Sequence, residues 1–328
     1  MPQNSRVFFT VVIPTRNRVE LFKLAIDSVI AQSFKNFEII VVNDGSSDEC
    51  LAGYKALEAE YSNHNVKFRY QIRRPNGHGQ SYSMNTGAYV GEGQYLCFLD
   101  DDDFWIDNDH LQNAYNSITQ SEMVVDAYYT NQIAYFSDGA KQNDNVWIED
   151  LATKVASSSA DAYGASVVTQ AFLLSSGGFA HLNCSIVRRE LYLDIKGMDE
   201  NIRYECDRDI YIRTIDAAQH ILYCPNVISQ HHIPDPKKAD NMSTMINLFE
   251  KSLYQINVYE KGSLMAQRPE IREFCNKSMT YIYKKITMQL VESKDWPRAH
   301  TYAVKALACS FSFKWWLYSR YLLVKKGL

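Results

Sequence analysis

The stretch Tyr95-Leu-Cys-Phe-Leu-Asp-Asp-Asp-Asp103 decides how the rest of the chain is read. Five apolar residues, the length of a strand, run without polar alternation straight into four consecutive carboxylates. A strand with no polar face is buried on both sides, the habit of parallel sheets covered by helices. The same kind of run occurs earlier, in Val7-Phe-Phe-Thr-Val-Val-Ile13 and Phe37-Glu-Ile-Ile-Val-Val42, and Val66 to Gln71 supplies another. Between these runs the periodicity turns helical. Phe22, Ala25, Ile26, Val29 and Ile30 share one face of a helix from Leu21 to Ile30. Ser46 or Ser47 can cap a helix to about Tyr61, and another helix is expected over Gln80 to Val90. Strands spaced by helices predict an α/β fold, a mostly parallel open sheet flanked by helices. Such sheets bind ligands at the carboxyl ends of their strands.

Composition removes other classes. The 328 residues are 46% hydrophobic and 22% charged, so wholesale disorder is excluded. A net charge of −4 gives no basic footprint, so nucleic acid is not an expected partner. Seven cysteines without C-x-x-C spacing argue against a disulfide framework or a zinc ribbon. No signal-peptide pattern and no bilayer-spanning run is evident, which predicts a reduced, cytoplasmic protein. The middle of the chain is less regular. Met123 to Phe136 reads as one or two strands, Ser157 to Ser176 as a mobile loop, and His220 to Tyr223 as a short strand. Arg188 to Ile195 and Asp207 to Ala218 read as helices, and beyond Asp240 the pattern is helical, with Pro297 in a first turn. The expected division is a catalytic α/β domain over 1–240 and a helical region over 241–328.

Four adjacent carboxylates at a buried strand end repel one another, and a divalent cation would remove that penalty. The alternative is a solvated acidic turn. The neighbouring strand ends favour the cation. Pro14-Thr-Arg-Asn-Arg18, Asn43-Asp44-Gly45 and Arg73-Arg74-Pro75-Asn76-Gly77-His78-Gly79 would converge on the same sheet edge. Arg16, Arg18, Arg73 and Arg74 suit phosphate charge, and Asp44 suits hydrogen bonds from a base. Gly77-x-Gly79 lacks the third glycine of a dinucleotide fingerprint.

Taken together, Pro14-Thr-Arg-Asn-Arg18, Val41-Val-Asn-Asp-Gly-Ser-Ser-Asp48, Asn76-Gly77 with Asn85, Gly91-Glu-Gly93 and Phe98-Leu-Asp-Asp-Asp-Asp103 resemble glycosyltransferase family 2 over residues 7 to 235. The resemblance implies a GT-A (Rossmann-like) fold with a C-terminal helical extension. It implies an inverting, metal-dependent transferase moving a sugar from a nucleotide sugar, a UDP-sugar, to a hydroxyl. The acceptor would be a glycan or a lipid-linked glycan of a surface polysaccharide. By the same resemblance Thr15, Arg16 and Asp44 hold base and ribose. The donor site extends to Pro14, Arg18, Arg73, Arg74, Asn76, Gly77, Asn85, Asp100 and Asp101. The Asp-x-Asp motif falls on Asp100 and Asp102, with Asp102 the direct ligand of Mn²⁺ or Mg²⁺, and His231 or His232 lies near metal or diphosphate. The catalytic base that follows Gly197-Met-Asp-Glu200 aligns with Asp207, with Glu205 as the alternative; the family commonly shows Glu-Asp where this chain has Cys206-Asp207. His181 and Asn183 would line the acceptor site. Met84 stands where the family often carries arginine.

The C-terminal run Phe311 to Leu328 is aromatic and basic. It suits peripheral contact with the cytoplasmic face of a membrane, or a helix docked on the core. Two other function classes remain. A nucleotidyltransferase usually has a glycine- and lysine-rich signature near the first strand, which is missing. A non-catalytic GT-A-like sugar-binding or scaffold protein would bind nucleotide sugars without turnover.

Overall fold

A computed structural model of the chain describes residues 7–143, 146–155, 160–235 and 242–327. The chain divides into two compact units, Met1–Pro236 and Lys237–Leu328. The expected boundary near residue 240 lies outside the described residues.

The first unit is built on one sheet. Its strands are β1 (Phe9–Thr15), β2 (Phe37–Asn43), β3 (Val66–Tyr70), β4 (Tyr95–Phe98), β5 (Phe104–Trp105), β6 (Ala127–Tyr135), β7 (Ser166–Val168), β8 (Ser185–Arg188) and β9 (Ile221–His232). Their order is β3-β2-β1-β4-β8-β6-β9-β5, and β7 also pairs with β9. Strands β1 to β4 run parallel, β8 runs against both β4 and β6, β6 and β9 are parallel, and β5 and β7 run against β9. Six strands thus share one direction, and the sheet is open and mostly parallel. The apolar runs explain this. Val11, Val12, Ile13, Ile39, Ile40, Val41, Leu96 and Phe98 are buried, so both faces of the central strands need a cover.

The cover comes from α1 (Val19–Ile30), α2 (Asp48–Glu60), α3 (Gln80–Val90), α4 (His110–Gln120), α5 (Gln170–Leu173), α6 (Arg189–Asp194) and α7 (Cys206–Ala217). Helix α1 buries Phe22, Ala25, Ile26 and Val29, the face read from the sequence. At the end of the sheet away from the strands' carboxyl ends, Glu38 is fully buried. It accepts hydrogen bonds from the Thr10 hydroxyl at 2.7 Å, Lys67 at 2.8 Å and the Glu92 amide at 2.5 Å.

Met123 to Phe136 holds one strand, β6, within the expected one or two. Other expectations are corrected. The expected loop Ser157 to Ser176 contains β7 and α5, while residues 156–159 lie outside the described residues. The short strand expected at His220 to Tyr223 is the start of the 12-residue β9, which carries His231 and His232 at its end. Helix α4 and strand β8 were not anticipated. Leu111, Ala114 and Ile118 of α4 do show helical spacing, and they are buried.

The second unit is helical: α8 (Met242–Met245), α9 (Leu248–Met265), α10 (Pro269–Glu292), α11 (Trp296–Cys309) and α12 (Phe313–Lys326). Asn247 and Glu250 form a capping box on α9, and Pro297 lies in the first turn of α11. Ile256, Ile271, Cys275, Ile286, Ala299, Ala303 and Leu322 are buried. Among the described residues no helix is long and apolar enough to cross a membrane.

Candidate active site

The acidic run lies in the turn between β4 and β5, and two antiparallel pairings aim other segments at it. In the β4–β8 pairing Cys97 faces Ile186, so three residues further on Asp100 faces Asn183. The Asp100 amide donates to Asn183 Oδ1 at 3.0 Å. In the β5–β9 pairing Phe104 faces Gln230, so Asp103 faces His231. His231 Nδ1 donates to Asp103 Oδ2 at 2.7 Å, and the His232 amide donates to Asp103 Oδ1 at 2.8 Å. Asn183 Nδ2 reaches the same carboxylate at 2.5 Å, and the Trp105 indole N–H donates to the Asn183 carbonyl at 3.1 Å.

His181, just before β8, stands between two carboxylates. Its Nε2 is 3.4 Å from Asp207 Oδ2 and 3.9 Å from Asp100 Oδ2. Its Nδ1 accepts the Asn183 amide at 3.4 Å, so in the neutral ring the proton is on Nε2, the nitrogen on the side of Asp207. Asp207 is the second residue of α7, where the helix dipole favours negative charge. Asp100, Asp103 and His181 each offer a ligand atom within 4.8 Å of the other two. The rings of His181 and His231 both meet the edge of Trp147, at 5.8 and 5.2 Å between centroids.

Crowding sets the electrostatics. Burial, then the charges of Asp207 and Asp103, pushes the Asp100 carboxyl well above its ordinary range. Burial and the neighbouring Asp102 raise Asp101 to about 7, with Arg18 opposing. Burial would raise Asp103 too, but the charge and hydrogen bond of His231 outweigh it and hold this carboxyl below the usual range. Burial pushes the His181 imidazole down, against the pull of Asp207. His231 is raised, because Asp103 outweighs the cost of its burial.

The expected site residues divide into three groups. Asp100, Asp207 and His181 come together. A second group is spent on holding the edge in shape. The Arg16 guanidinium donates to the carbonyls of Arg74 and Pro75 at 3.1 and 2.9 Å. Thr15 pairs its hydroxyl with that of Tyr54 at 2.7 Å. Gly77, next to Pro75 and Asn76, is buried against Asp44, while Arg73, Arg74 and Asn76 are exposed and Pro14 is half-buried in β1.

The third group is engaged with protein partners. Asp102, expected as the direct metal ligand, turns its carboxylate to Arg18 at 2.8 Å, and Asp103 takes its place beside Asp100. The reason is the β5–β9 register, which points Asp103 inward. His231 and His232 serve Asp103 and the Asp102 carbonyl, the latter 2.6 Å from His232 Nδ1. Asn85, expected in the donor site, is engaged inside the fold. It is buried and bonds Met198, Glu200 and Tyr192, clamping α3 to the turn before α7. Asn183 likewise spends its amide on Asp100 and Asp103. Glu205 pairs with Arg208 at 2.6 Å. Sequence reading missed Gln80, whose amide donates to Asp100 Oδ1 at 2.7 Å, and Trp147, for which no local signal exists.

Residues 10–195 match the profile described as "Glycosyl transferase family 2". The chain is similar to glycosyltransferase GlyA of Streptococcus pneumoniae, 36% identical over 123 residues, which are 37% of this chain and 17% of that protein. It is similar to the amylovoran biosynthesis glycosyltransferase AmsB of Erwinia amylovora, 25% identical over 229 residues, 69% of this chain and 70% of AmsB. Among solved structures, S. aureus TarS 1-349 in complex with UDP-GlcNAc has a TM-score of 0.68 at 16% identity, covering 92% of this chain and 81% of that one. Mannosyltransferase PcManGT from Pyrobaculum calidifontis, in complex with GDP-Man and Mn²⁺, has a TM-score of 0.59 at 15% identity, covering 99% and 80%. At such identities these structures speak for the fold.

Proposed function

The chain belongs to glycosyltransferase family 2, and from that premise we propose that it moves a sugar from a UDP-sugar to a hydroxyl of a glycan or lipid-linked acceptor in surface-polysaccharide assembly, inverting the anomeric centre. The observation that carries this reading is the meeting of Asp207 with Asp100 and His181 at the carboxyl end of β4. A transferase of this kind needs a carboxylate base beside a group that handles diphosphate charge, and the two lie within one hydrogen-bonded cluster. The polysaccharide setting rests on the name of AmsB, and the uracil nucleotide on the TarS complex.

Asp100 and Asp103 fit a divalent cation such as Mn²⁺ or Mg²⁺. They are oxygen donors, Asp103 buried and Asp100 half-buried, whose mutual repulsion a cation would relieve. His181 would have to give up its Nε2 proton to join them. When bound, the cation supplies charge stabilisation to the departing diphosphate. Asp207 accepts the proton of the acceptor hydroxyl as that oxygen attacks the anomeric carbon from the face opposite the leaving group. His181 stands 3.4 Å from Asp207, between it and Asp100, and would steady the Asp207 carboxylate electrostatically. A single displacement inverts the centre.

The lipid-linked acceptor and a peripheral position on the cytoplasmic membrane face are supported by α12. It exposes Phe313, Leu317, Tyr321 and Val324, flanked by Lys314, Arg320 and Lys326, while Leu322 and Ser319 are buried. Exposed apolar residues bracketed by cations suit an anionic lipid surface. Flotation with vesicles rich in phosphatidylglycerol, lost in Leu317→Glu, supports the contact, and flotation unchanged in that variant removes it.

The purified full chain, incubated with a panel of nucleotide sugars, Mn²⁺ and glycan acceptors, tests the main reading. Release of nucleoside diphosphate with a new glycosidic bond of inverted configuration, read by NMR, is the expected result. Release of pyrophosphate in a parallel incubation with a nucleoside triphosphate and a sugar 1-phosphate would instead mark a nucleotidyltransferase. Nucleotide-sugar binding without product would mark a sugar-binding protein.

A further inference from the structure

Gln80 is the first residue of α3, and its side-chain amide reaches two other segments at once. Its Nε2 donates to Asp100 Oδ1 at 2.7 Å, and its Oε1 accepts from Cys206 Sγ at 3.7 Å. The thiol donates, so it takes the amide oxygen and leaves the N–H for the carboxylate. Burial pushes the Cys206 thiol well above its ordinary range, so it keeps the proton this bond needs. The same sulfur lies 3.5 Å from Asp207 Oδ1.

With His181 these side chains close a ring. His181 Nε2 faces the Oδ2 atoms of Asp207 and Asp100, at 3.4 and 3.9 Å, while the two Oδ1 atoms face the Cys206 thiol and the Gln80 amide. The two carboxylates are therefore bridged twice, by His181 on one side and by Gln80 with Cys206 on the other. Rotation of either carboxylate about its Cβ–Cγ bond is opposed by both bridges. The second bridge ties together the turn after β4, the start of α3 and the first turn of α7, which are remote in sequence. Gly79, the cap residue at φ 104°, turns the chain so that α3 begins at Gln80.

We propose that Gln80, latched by Cys206, is a positioning residue of the transfer step: it holds Asp100 and Asp207 in register and so governs turnover, not donor affinity. The inference rests on the transferase reading above, with Asp207 as base. The base must lie within hydrogen-bond reach of the acceptor hydroxyl while the diphosphate is held at Asp100. A displacement of about 1 Å between such groups costs about 100-fold in rate. Gln80 and Cys206 touch neither reactant in this arrangement; they act through the two carboxylates.

The test uses the full chain, the donor and acceptor pair that the panel above finds active, and UDP with Mn²⁺ as the binding probe. Gln80 is exposed, so Gln80→Ala leaves the core intact. Gln80→Ala and Cys206→Ala should each lower kcat about ten- to a hundredfold. UDP affinity by calorimetry should stay within about threefold of wild type. The double variant should be no slower than the slower single one, because both changes break one bridge. Cys206→Ser, which restores a donor, should recover most of the loss seen in Cys206→Ala. A readout free of turnover is the infrared S–H stretch: the band that disappears in Cys206→Ser should be displaced in Gln80→Ala. An undisplaced band, an unchanged kcat in Gln80→Ala, losses that multiply in the double variant, or UDP affinity that falls as far as kcat overturns the inference and leaves the transferase reading intact. A wild-type chain that transfers sugar with no pair of the panel overturns both.

Discussion

Asn183 is locked onto Asp103. Its side-chain amide donates to the Asp103 carboxylate, while its carbonyl accepts the Asp100 amide at 3.0 Å. One neutral side chain thus fixes both ends of the acidic turn from inside, where Asn183 is 1% exposed. Asn183→Ala would leave a buried carboxylate short of a donor and cost about 1–3 kcal/mol. Asn183→Asp should cost more, because it sets a further carboxylate against Asp103. Urea unfolding reads both, and the ranking Asn183, Ala, Asp in decreasing stability is the expected outcome.

Asp207 and Glu205 are separated by what they touch. Asp207 faces His181, while Glu205 is bonded to Arg208 at 2.6 Å. If Asp207 is the base, Asp207→Asn should lower kcat by about 10²–10⁴-fold with little change in donor affinity. Glu205→Gln should keep most of kcat and lose stability instead. Reversal of these two outcomes in a transfer assay would move the base to Glu205.

The difference between these carboxylates was only half legible in the sequence. The continuous apolar runs announced the parallel half of the sheet, because burial on both faces leaves its mark residue by residue. The acidic turn was visible for the same reason, lying directly after such a run. What was hidden depends on pairing between distant segments. The inward turn of Asp103 follows from the register of β5 against β9, and the arrival of His181 and Asn183 follows from β8 running against β4. Neither short strand has a strong pattern of its own. Asn85 shows the converse: a polar residue in a family-like motif, expected at the ligand, is consumed by four internal hydrogen bonds.

Gly178 is a point where backbone meets backbone. A Cβ there would lie 1.9 Å from the Trp147 carbonyl oxygen. Trp147 in turn edges the rings of His181 and His231. Gly178→Ala should therefore displace Trp147 and cost about 1–3 kcal/mol of stability. A shifted tryptophan emission spectrum in the folded variant, together with weaker transfer, is expected. An unaltered spectrum and unaltered stability would mean that the contact is relieved elsewhere.

Asp101 makes a pH signature. Burial and Asp102 push its carboxyl up to about 7 in the folded protein, from an ordinary 3.8. Between those values the folded form holds a proton that the unfolded chain has released, so this group's contribution to stability falls as pH rises. Asp101→Asn removes the titration. The stability of the variant relative to wild type should climb between about pH 4 and 7, by up to about 1.4 kcal/mol per pH unit. Saturating Mn²⁺ should flatten the wild-type slope, which differential scanning at several pH values would show.

His110 carries the opposite sign. It begins α4, 2% exposed, with its ring 5.0 Å from that of Trp105 and no partner for Nδ1 among the described residues. Burial drives its imidazole down to about 3 from 6.5. Over that interval the unfolded chain is protonated and the folded one is not, so stability is lost as pH falls below about 6.5. His110→Phe keeps an aromatic ring in the same packing and cannot take up a proton. Its stability relative to wild type should therefore rise as pH is lowered from about 7 to about 4.5, again by up to about 1.4 kcal/mol per pH unit. A difference that stays constant across that range, in urea unfolding followed at each pH, would show that water reaches the ring and that His110 is not the acid-sensitive point of the core.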